Sequence, residues 1–319
     1  MSRAARPIRI GISSCLLGQE VRYDGGHKRD HFLTDVLGRF VEWMPVCPEV
    51  EVGMGVPRPT LRLVRDGDDV RMVAERSGED HTRAMRAFAR KRVAALRKLS
   101  LAGYVLKKDS PSCGLERVRL YREKGMPEKK GRGLFADALL EGMPQLPVEE
   151  EGRLHDPVLR ENFIERVFAY SRLREFFRGR WSVGRLVAFH TAHKLQLMSH
   201  EPQAYQRLGR LVGEAKGMDR DELRSRYTDG FMEALVRKAT PRRNVNAMHH
   251  MLGFFRKHLD TRSKQELLGL IDDYRNGRVP LVVPLTLIRH HVERCDIACL
   301  RDQHYLAPHP VELMLRNRV

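Results

Sequence analysis

An α/β N-terminal domain of mostly parallel strands, followed by an all-α C-terminal domain, is the fold this sequence predicts. Three observations carry the expectation. Before about residue 150, strand-length apolar runs alternate with segments of helical periodicity; beyond residue 160, almost every periodic segment is helical. Between them lies a proline-rich, acidic, weakly periodic stretch, Pro144 to Pro157, that reads as a boundary. The expected domains are residues 1–155 and 156–319, and a chain of 319 residues is long enough for each to bury its own core.

Taken in order, Ile8 to Ile12 alternates as a strand and runs into Ser13-Ser14-Cys15-Leu16-Leu17-Gly18. Arg22-Tyr23-Asp24-Gly25-Gly26 is a turn, and His31 to Phe40 spaces its apolar residues as a short helix. The next strand ends at Val46, directly before Cys47-Pro48-Glu49. Leu61–Val64 and Val70–Val73 form an expected hairpin around Asp66-Gly67-Asp68-Asp69. From Asp80 to Leu99 the positions Met85, Phe88, Ala89, Val93, Leu96 and Leu99 keep one face, which predicts an amphipathic helix. Gly103-Tyr104-Val105-Leu106 reads as a buried strand, followed by Lys107-Lys108-Asp109-Ser110-Pro111-Ser112-Cys113-Gly114, and Gly131 to Leu140 as a further helix. This alternation predicts a Rossmann-like layer, in which ligands gather beyond the carboxyl ends of parallel strands.

In the second half, helices are expected over 162–177, 183–198, 204–215, 224–238, 244–259, 263–274 and 286–299. Leu281-Val282-Val283-Pro284-Leu285 is expected as an extended connector because of its prolines. No internal repeat or low-complexity tract is visible.

The formal net charge is +17, which suggests a polyanionic partner, most often nucleic acid. Residues 160–319 hold 29 Lys and Arg against 18 Asp and Glu, so most of the excess lies there. No apolar run reaches the roughly 18–20 residues of a membrane span, and no secretory h-region follows the N-terminus. Five widely spaced cysteines argue against a disulfide framework. The expectation is a cytoplasmic enzyme with no membrane partner.

Cys15, Cys47 and Cys113 each follow a predicted strand, so three distant thiols can converge on one point. Buried core thiols, a single persulfide nucleophile and structural zinc are the competing readings; zinc asks for a fourth Cys or His. Three thiolates with no evident fourth ligand suit an iron–sulfur cluster with one iron left open, able to act as a Lewis acid.

Ser14-Cys15-Leu16-Leu17-Gly18, Arg22-Tyr23-Asp24-Gly25, Cys47-Pro48-Glu49, Pro57-Arg58-Pro59 and Ser110-Pro111-Ser112-Cys113-Gly114 resemble, in order, the motifs of the thiouracil desulfidase family over roughly residues 7–150. The resemblance implies a 4Fe–4S cluster on Cys15, Cys47 and Cys113, and exchange of a thiocarbonyl sulfur of thiolated uracil for oxygen with release of sulfide. Phe189-His190-Thr191-Ala192-His193-Lys194, Leu197-Met198-Ser199-His200 and Pro280 to Leu285 are similar to an uncharacterised helical domain often fused behind such domains. Such fusions are associated with desulfuration of 4-thiouridine in transfer RNA, which the positive charge independently suits.

On that reading Glu49 is the candidate general acid or base, and Ser110 the candidate donor to the substrate, ranked above Ser112. Ser112, Arg58, Ser14 and Asp24 are expected to contact substrate. Lys107, Lys108, Arg185, Lys194, Arg242 and Arg243 are candidate phosphate contacts, with Arg256 and Lys257 beside them. The pairs His190 and His193, His249 and His250, and His290 and His291 lack carboxylate or cysteine partners at matching spacing and are expected to pack or meet RNA. Cys295 and Cys299, four apart, are expected as core thiols on one helix face. The alternatives are a desulfidase of free thiouracil or thio-nucleotides, and a non-catalytic RNA-binding protein with structural cysteines. Oligomeric state is not legible.

Overall fold

The computed structural model describes residues 7–122 and 125–318. The chain divides into two compact units, Met1–Asp156 and Pro157–Val319.

The first unit is built on a four-stranded sheet whose pairings are all parallel: β1 (Ile8–Ser13), β2 (Val41–Val46), β5 (Gly103–Leu106) and β8 (Val148–Glu150), in the order β2-β1-β5-β8. Ile10 and Ile12 of β1 and all four residues of β5 are buried, the pattern of strands covered on both faces. Gly11 sits where the Tyr104 ring crosses the sheet, and a Cβ there would lie 2.1 Å from that ring. Only glycine leaves the space. Tyr104 in turn meets Phe135 with ring centroids 5.9 Å apart.

A smaller mixed sheet runs β4-β3-β6-β7, from β3 (Leu61–Asp66), β4 (Asp69–Ala74), β6 (Val118–Tyr121) and β7 (Glu128–Gly131). The β3–β4 hairpin is the expected one, with Gly67 in the left-handed region at φ 60°. Leu63, Met72, Met85, Val118, Leu120 and Leu134 form the core under this sheet. Helix α1 (Pro48–Glu51) starts at the end of β2. The amphipathic α2 (Thr82–Lys98) and the shorter α3 (Leu134–Gly142) pack against each other. The helix expected over 31–40 is a π turn, Phe32–Val36, running into a 3-10 turn, Leu37–Arg39.

The expected boundary at 144–157 is corrected in part. Val148–Glu150 is an edge strand of the main sheet, and Glu149, Glu150 and Glu151 are all buried. Acidic composition concealed it, because carboxylates enter a sheet edge only when partners wait for them. For Glu150 and Glu151 those partners come from distant loops, for Glu149 from the turn that follows. Glu150 Oε1 accepts the Leu115 N–H at 2.7 Å, and Glu149 Oε1 accepts Arg153 Nε at 2.7 Å. Glu151 accepts the Lys108 N–H at 2.8 Å and Lys107 Nζ at 2.5 Å.

The second unit is helical: α4 (Pro157–Arg178), α5 (Val183–His200), α6 (Pro202–Gly213), α7 (Arg220–Val236), α8 (Pro241–Phe254), α9 (Thr261–Arg275), α10 (Val282–Arg294) and the short α11 (Ala298–Arg301). Side-chain caps start α5, α7, α8 and α9, with Ser182, Asp219, Thr240 and Asp260 each accepting a first-turn N–H. Leu195, Met248, Met251, Phe255, Leu267, Ile271, Leu285 and Ile288 belong to one core cluster within it. The expected extended connector at 281–285 is instead the start of α10. Pro284 falls in the first turn, where the missing N–H has no intrahelical acceptor in any case. The last helix also breaks earlier than expected, after Arg294, with Asp296 at φ 51°. Cys295 and Cys299 therefore do not share a helix face; Cys299 is exposed, so it is no core thiol.

Burial makes this unit acid-sensitive. Desolvation lowers His190, His304 and His309 to about 4, and His193 well below its ordinary value. Nearby Arg172 pushes His193 and His304 in the same direction, and Arg316 does so for His309. These groups are neutral in both states above about pH 6.5. Below that the unfolded chain takes protons the folded one refuses, so stability falls with pH until about 4. The helical unit is expected to lose on the order of 1 kcal/mol per buried histidine between pH 7 and 5, discounted for partial solvent access. Urea unfolding of the full chain at the two pH values checks this; an unchanged midpoint for the helical transition overturns it.

Candidate active site

The main sheet changes winding direction at β1, with β2 on one side and β5 on the other. At such a point the loops leaving the strand ends part and open a crevice. A cavity of about 330 Å³ lies there, lined by Ser13, Ser14 and Cys15 after β1, Cys47, Pro48 and Glu49 after β2, and residues 107–113 after β5. Val21 to Tyr23, Lys28 and Arg58 to Leu61 close its other walls. Three cysteines spaced far apart in sequence thus face one cavity.

Each is held differently. Cys15 stands in a 3-10 turn ended by Gly18 at φ 90°. Cys47 precedes the first turn of α1, and its Sγ lies 3.7 Å from the Val21 carbonyl. Cys113 is on a loop clamped to the start of α3: Leu134 N–H donates to Pro111 O, and Phe135 and Ala136 N–H both donate to Ser112 O. Helix donors with no partner inside α3 are spent on this loop. The approach is close enough that a Cβ on Gly133 would lie 2.4 Å from Ser112 O. The buried acids pin the loop's other side through Lys107, Lys108 and Leu115.

Burial pushes the Cys15 thiol up to about 11 against the pull of Lys107, and raises Cys47 and Cys113 as well. The metal-free chain therefore holds three neutral thiols, whose protons leave when a metal takes them as thiolates. Among the described residues no three His, Cys, Asp or Glu side chains stand close enough to share one metal ion. A single zinc needs all its ligands about 2.0–2.3 Å from one centre. An iron–sulfur cluster instead takes thiolates on different irons. The donor set fits the cluster.

Beside the thiols runs a hydrogen-bonded chain. Arg58 Nε and Nη2 donate to Glu49 Oε2 at 2.9 and 2.5 Å, and Ser112 Oγ donates to Glu49 Oε1 at 2.5 Å. A hydroxyl has one proton, so in the 3.0 Å contact between Ser110 Oγ and Ser112 Oγ the donor is Ser110. Ser110 Oγ also accepts the Cys113 N–H at 3.1 Å. Ser112 is 1 % exposed and touches Glu49 directly; Ser110, ranked ahead of it from sequence, stands one step further out.

Arg58 was expected on the substrate. Its guanidinium, 4 % exposed, is committed to Glu49, Val21 O and Gly55 O, so it orients the carboxylate. Asp24 is not among the cavity's lining residues; its carboxylate pairs with Arg22 and takes the Gly26 N–H, which fixes the turn. Ser14 lines the cavity. Lys107 is not a free phosphate contact, being ion-paired with Glu151 at 2.5 Å and largely covered. Lys108 is exposed on the cavity wall, as is Lys28, which sequence reasoning missed. Ser13 was missed too; its Oγ accepts the Lys107 N–H at 3.0 Å. Glu150 and Glu151 carried no sequence signal except acids in a stretch of strand length.

In the helical unit Arg242, Arg256 and Lys257 are exposed. Arg185 Nη1 donates to Arg180 O, Lys194 lies over the Phe254 ring, and Arg243 is bound to His200 O and Glu201, so it is not free for phosphate. His190 and His193 are buried against Tyr227 and Phe189, His249 and His250 are exposed, and His290 is exposed beside buried His291. No metal set forms at any of these pairs among the described residues, and no described helix is long and apolar enough to cross a membrane.

The model of the 2-thiouracil desulfurase family matches residues 10–151, and that of a protein family of unknown function, DUF1722, matches residues 194–310. The uncharacterized protein YbgA of Escherichia coli (strain K12) is 31 % identical over 158 residues, 49 % of this chain and 94 % of that protein. The uncharacterized protein YbbK of Bacillus subtilis (strain 168) is 33 % identical over 110 residues, 33 % of this chain and 72 % of that protein. Among solved structures, the 4Fe-4S-dependent thiouracil desulfidase TudS is 33 % identical, covering 47 % of this chain and 94 % of that one, with a TM-score of 0.39. With its three thiols and Glu49 on one cavity inside the matched segment, the chain belongs to the 2-thiouracil desulfurase family, as a desulfidase whose catalytic unit is followed by a DUF1722 unit.

Proposed function

We propose that this chain replaces the thiocarbonyl sulfur of a thiolated uracil by oxygen, using a 4Fe–4S cluster held by Cys15, Cys47 and Cys113, and that its substrate is 4-thiouridine within transfer RNA. The observation that carries the reading is the meeting of three free thiols with the Ser110–Ser112–Glu49 chain on one cavity. When bound, a cluster with an open iron supplies a Lewis acid for the substrate sulfur.

The side chains supply the proton handling. Glu49, fixed by Arg58, takes a proton from the attacking water. The water oxygen bonds to the ring carbon while the C=S π pair moves to sulfur. Collapse to C=O breaks the C–S bond, and sulfide leaves with the water's protons. Water in and hydrogen sulfide out balance the reaction without an oxidant or reductant. Ser112 and Ser110 give Glu49 a path for passing its proton onward.

The RNA substrate is supported by the charge excess of residues 160–319 and by exposed Arg242, Arg256 and Lys257. The test compares the full chain, purified without oxygen, on thiolated transfer RNA and on free 4-thiouridine. Faster turnover of the RNA is expected, with Arg242→Glu, Arg256→Glu and Lys257→Glu together raising KM for RNA alone. Equal or better use of the free nucleoside or nucleotide, unaffected by the charge reversals, would make this a small-molecule desulfidase.

A further inference from the structure

A second cavity, of about 240 Å³, lies wholly within the helical unit. Its lining includes Val158, Glu161 and Asn162 near the start of α4, Ala239, Pro241 and Asn244 around the start of α8, and Leu281 at the N-cap of α10. Three positive helix ends therefore border one space. Of the charged groups there, Arg316 is buried and Arg318 half-buried. Arg316 donates to Glu161 and to Tyr305 O at 2.7 Å, and stands 3.6 Å from Glu165. Arg318 Nη2 donates to Glu161 Oε2 at 2.8 Å.

What these pairs leave unspent decides the ligand. Arg318 Nη1 is buried and has no hydrogen-bond partner. The Tyr274 hydroxyl accepts from Asn244 Nδ2 at 2.9 Å, which leaves its own proton to give. Lys238, exposed on the wall, is in none of the ion pairs among the described residues. His200 is 1 % exposed; its Nδ1 contacts Arg237 O at 2.5 Å, and its Nε2 makes no hydrogen bond, 3.4 Å from Glu165. The free capacity is mostly donor capacity. Lys238, Arg316 and Arg318 outnumber the carboxylates of Glu161 and Glu165.

We infer that this cavity binds a phosphate group, received by Lys238, Arg318 and Tyr274 against the starts of α4 and α8. A tetrahedral dianion offers several acceptors to donors arriving from different elements, which matches what is unspent here. The phosphate is either free or the terminal phosphomonoester of a nucleic acid.

The experiment uses the full chain in phosphate-free buffer, with no thiolated substrate, so its outcome is independent of the desulfidase reading. Calorimetric titration is run with inorganic phosphate and with a short oligoribonucleotide bearing or lacking a 5′-phosphate, on the native chain, Lys238→Ala and Tyr274→Phe. The exposed Lys238 leaves the core untouched when truncated, and circular dichroism verifies the fold. Saturable binding of inorganic phosphate, weakened about tenfold or more by Lys238→Ala, supports the site with free phosphate as its ligand. Binding of the phosphorylated oligonucleotide alone, with the same dependence on Lys238 and Tyr274, supports it with a nucleic-acid end. Failure of both probes, or binding unaffected by either substitution, overturns it.

Discussion

Cys113→Ala is expected to take the protein from about four irons per chain to almost none after anaerobic reconstitution, and to abolish desulfuration. Cys113 is 5 % exposed, and its loop is held by α3, by Ser110 and by the acids behind β8, none of which needs the sulfur. Removing one buried sulfur leaves a small void, so the fold is expected to survive with a loss of about 1–2 kcal/mol. The same loss of iron is expected for Cys15→Ala and Cys47→Ala, whereas Cys295→Ala and Cys299→Ala leave it intact. Iron assay, visible absorbance and sulfide release check this on one preparation. A colourless variant that still released sulfide would remove the cluster from the reaction.

Glu49→Gln is the second large effect. The amide keeps the shape, and its single oxygen accepts from Arg58 or from Ser112 but not both; it cannot take a proton, so kcat is expected to fall by roughly 10²–10⁴ with iron content unchanged. Ser112→Ala cuts the link from Ser110 to Glu49 while leaving the Arg58 pair, and a smaller loss is expected there. Turnover and iron are measured together for both. If Glu49→Gln lost its iron, the carboxylate would belong to the cluster's support and not to proton transfer.

How far the sequence could be read depended on how local each interaction is. The strands at 8–13 and 103–106, the hairpin at 61–74 and the helix at 82–98 announce themselves through periodicity and turn chemistry, because their residues answer mainly to neighbours. The three site cysteines were legible because each directly follows, or lies on the loop after, a strand that is itself legible. The Arg58–Glu49 pair was not legible, because a buried guanidinium looks the same in sequence whether it meets a substrate or a carboxylate nine residues away. Glu150 and Glu151 misled for a related reason: acids read as solvated until their partners, 34 to 44 residues distant, are placed. Pro284 was read as a helix breaker when its position within the first turn made it harmless.

The pinning of the Cys113 loop by Glu150 and Glu151 also imposes an order on biogenesis. A ribosome-bound chain has made all three site cysteines once residue 113 is complete, yet the wall that holds the last of them comes from residues 148–151. Until that edge strand has emerged and docked on β5, the Cys113 loop lacks the carboxylates that hold Lys107, Lys108 and Leu115 on either side of it.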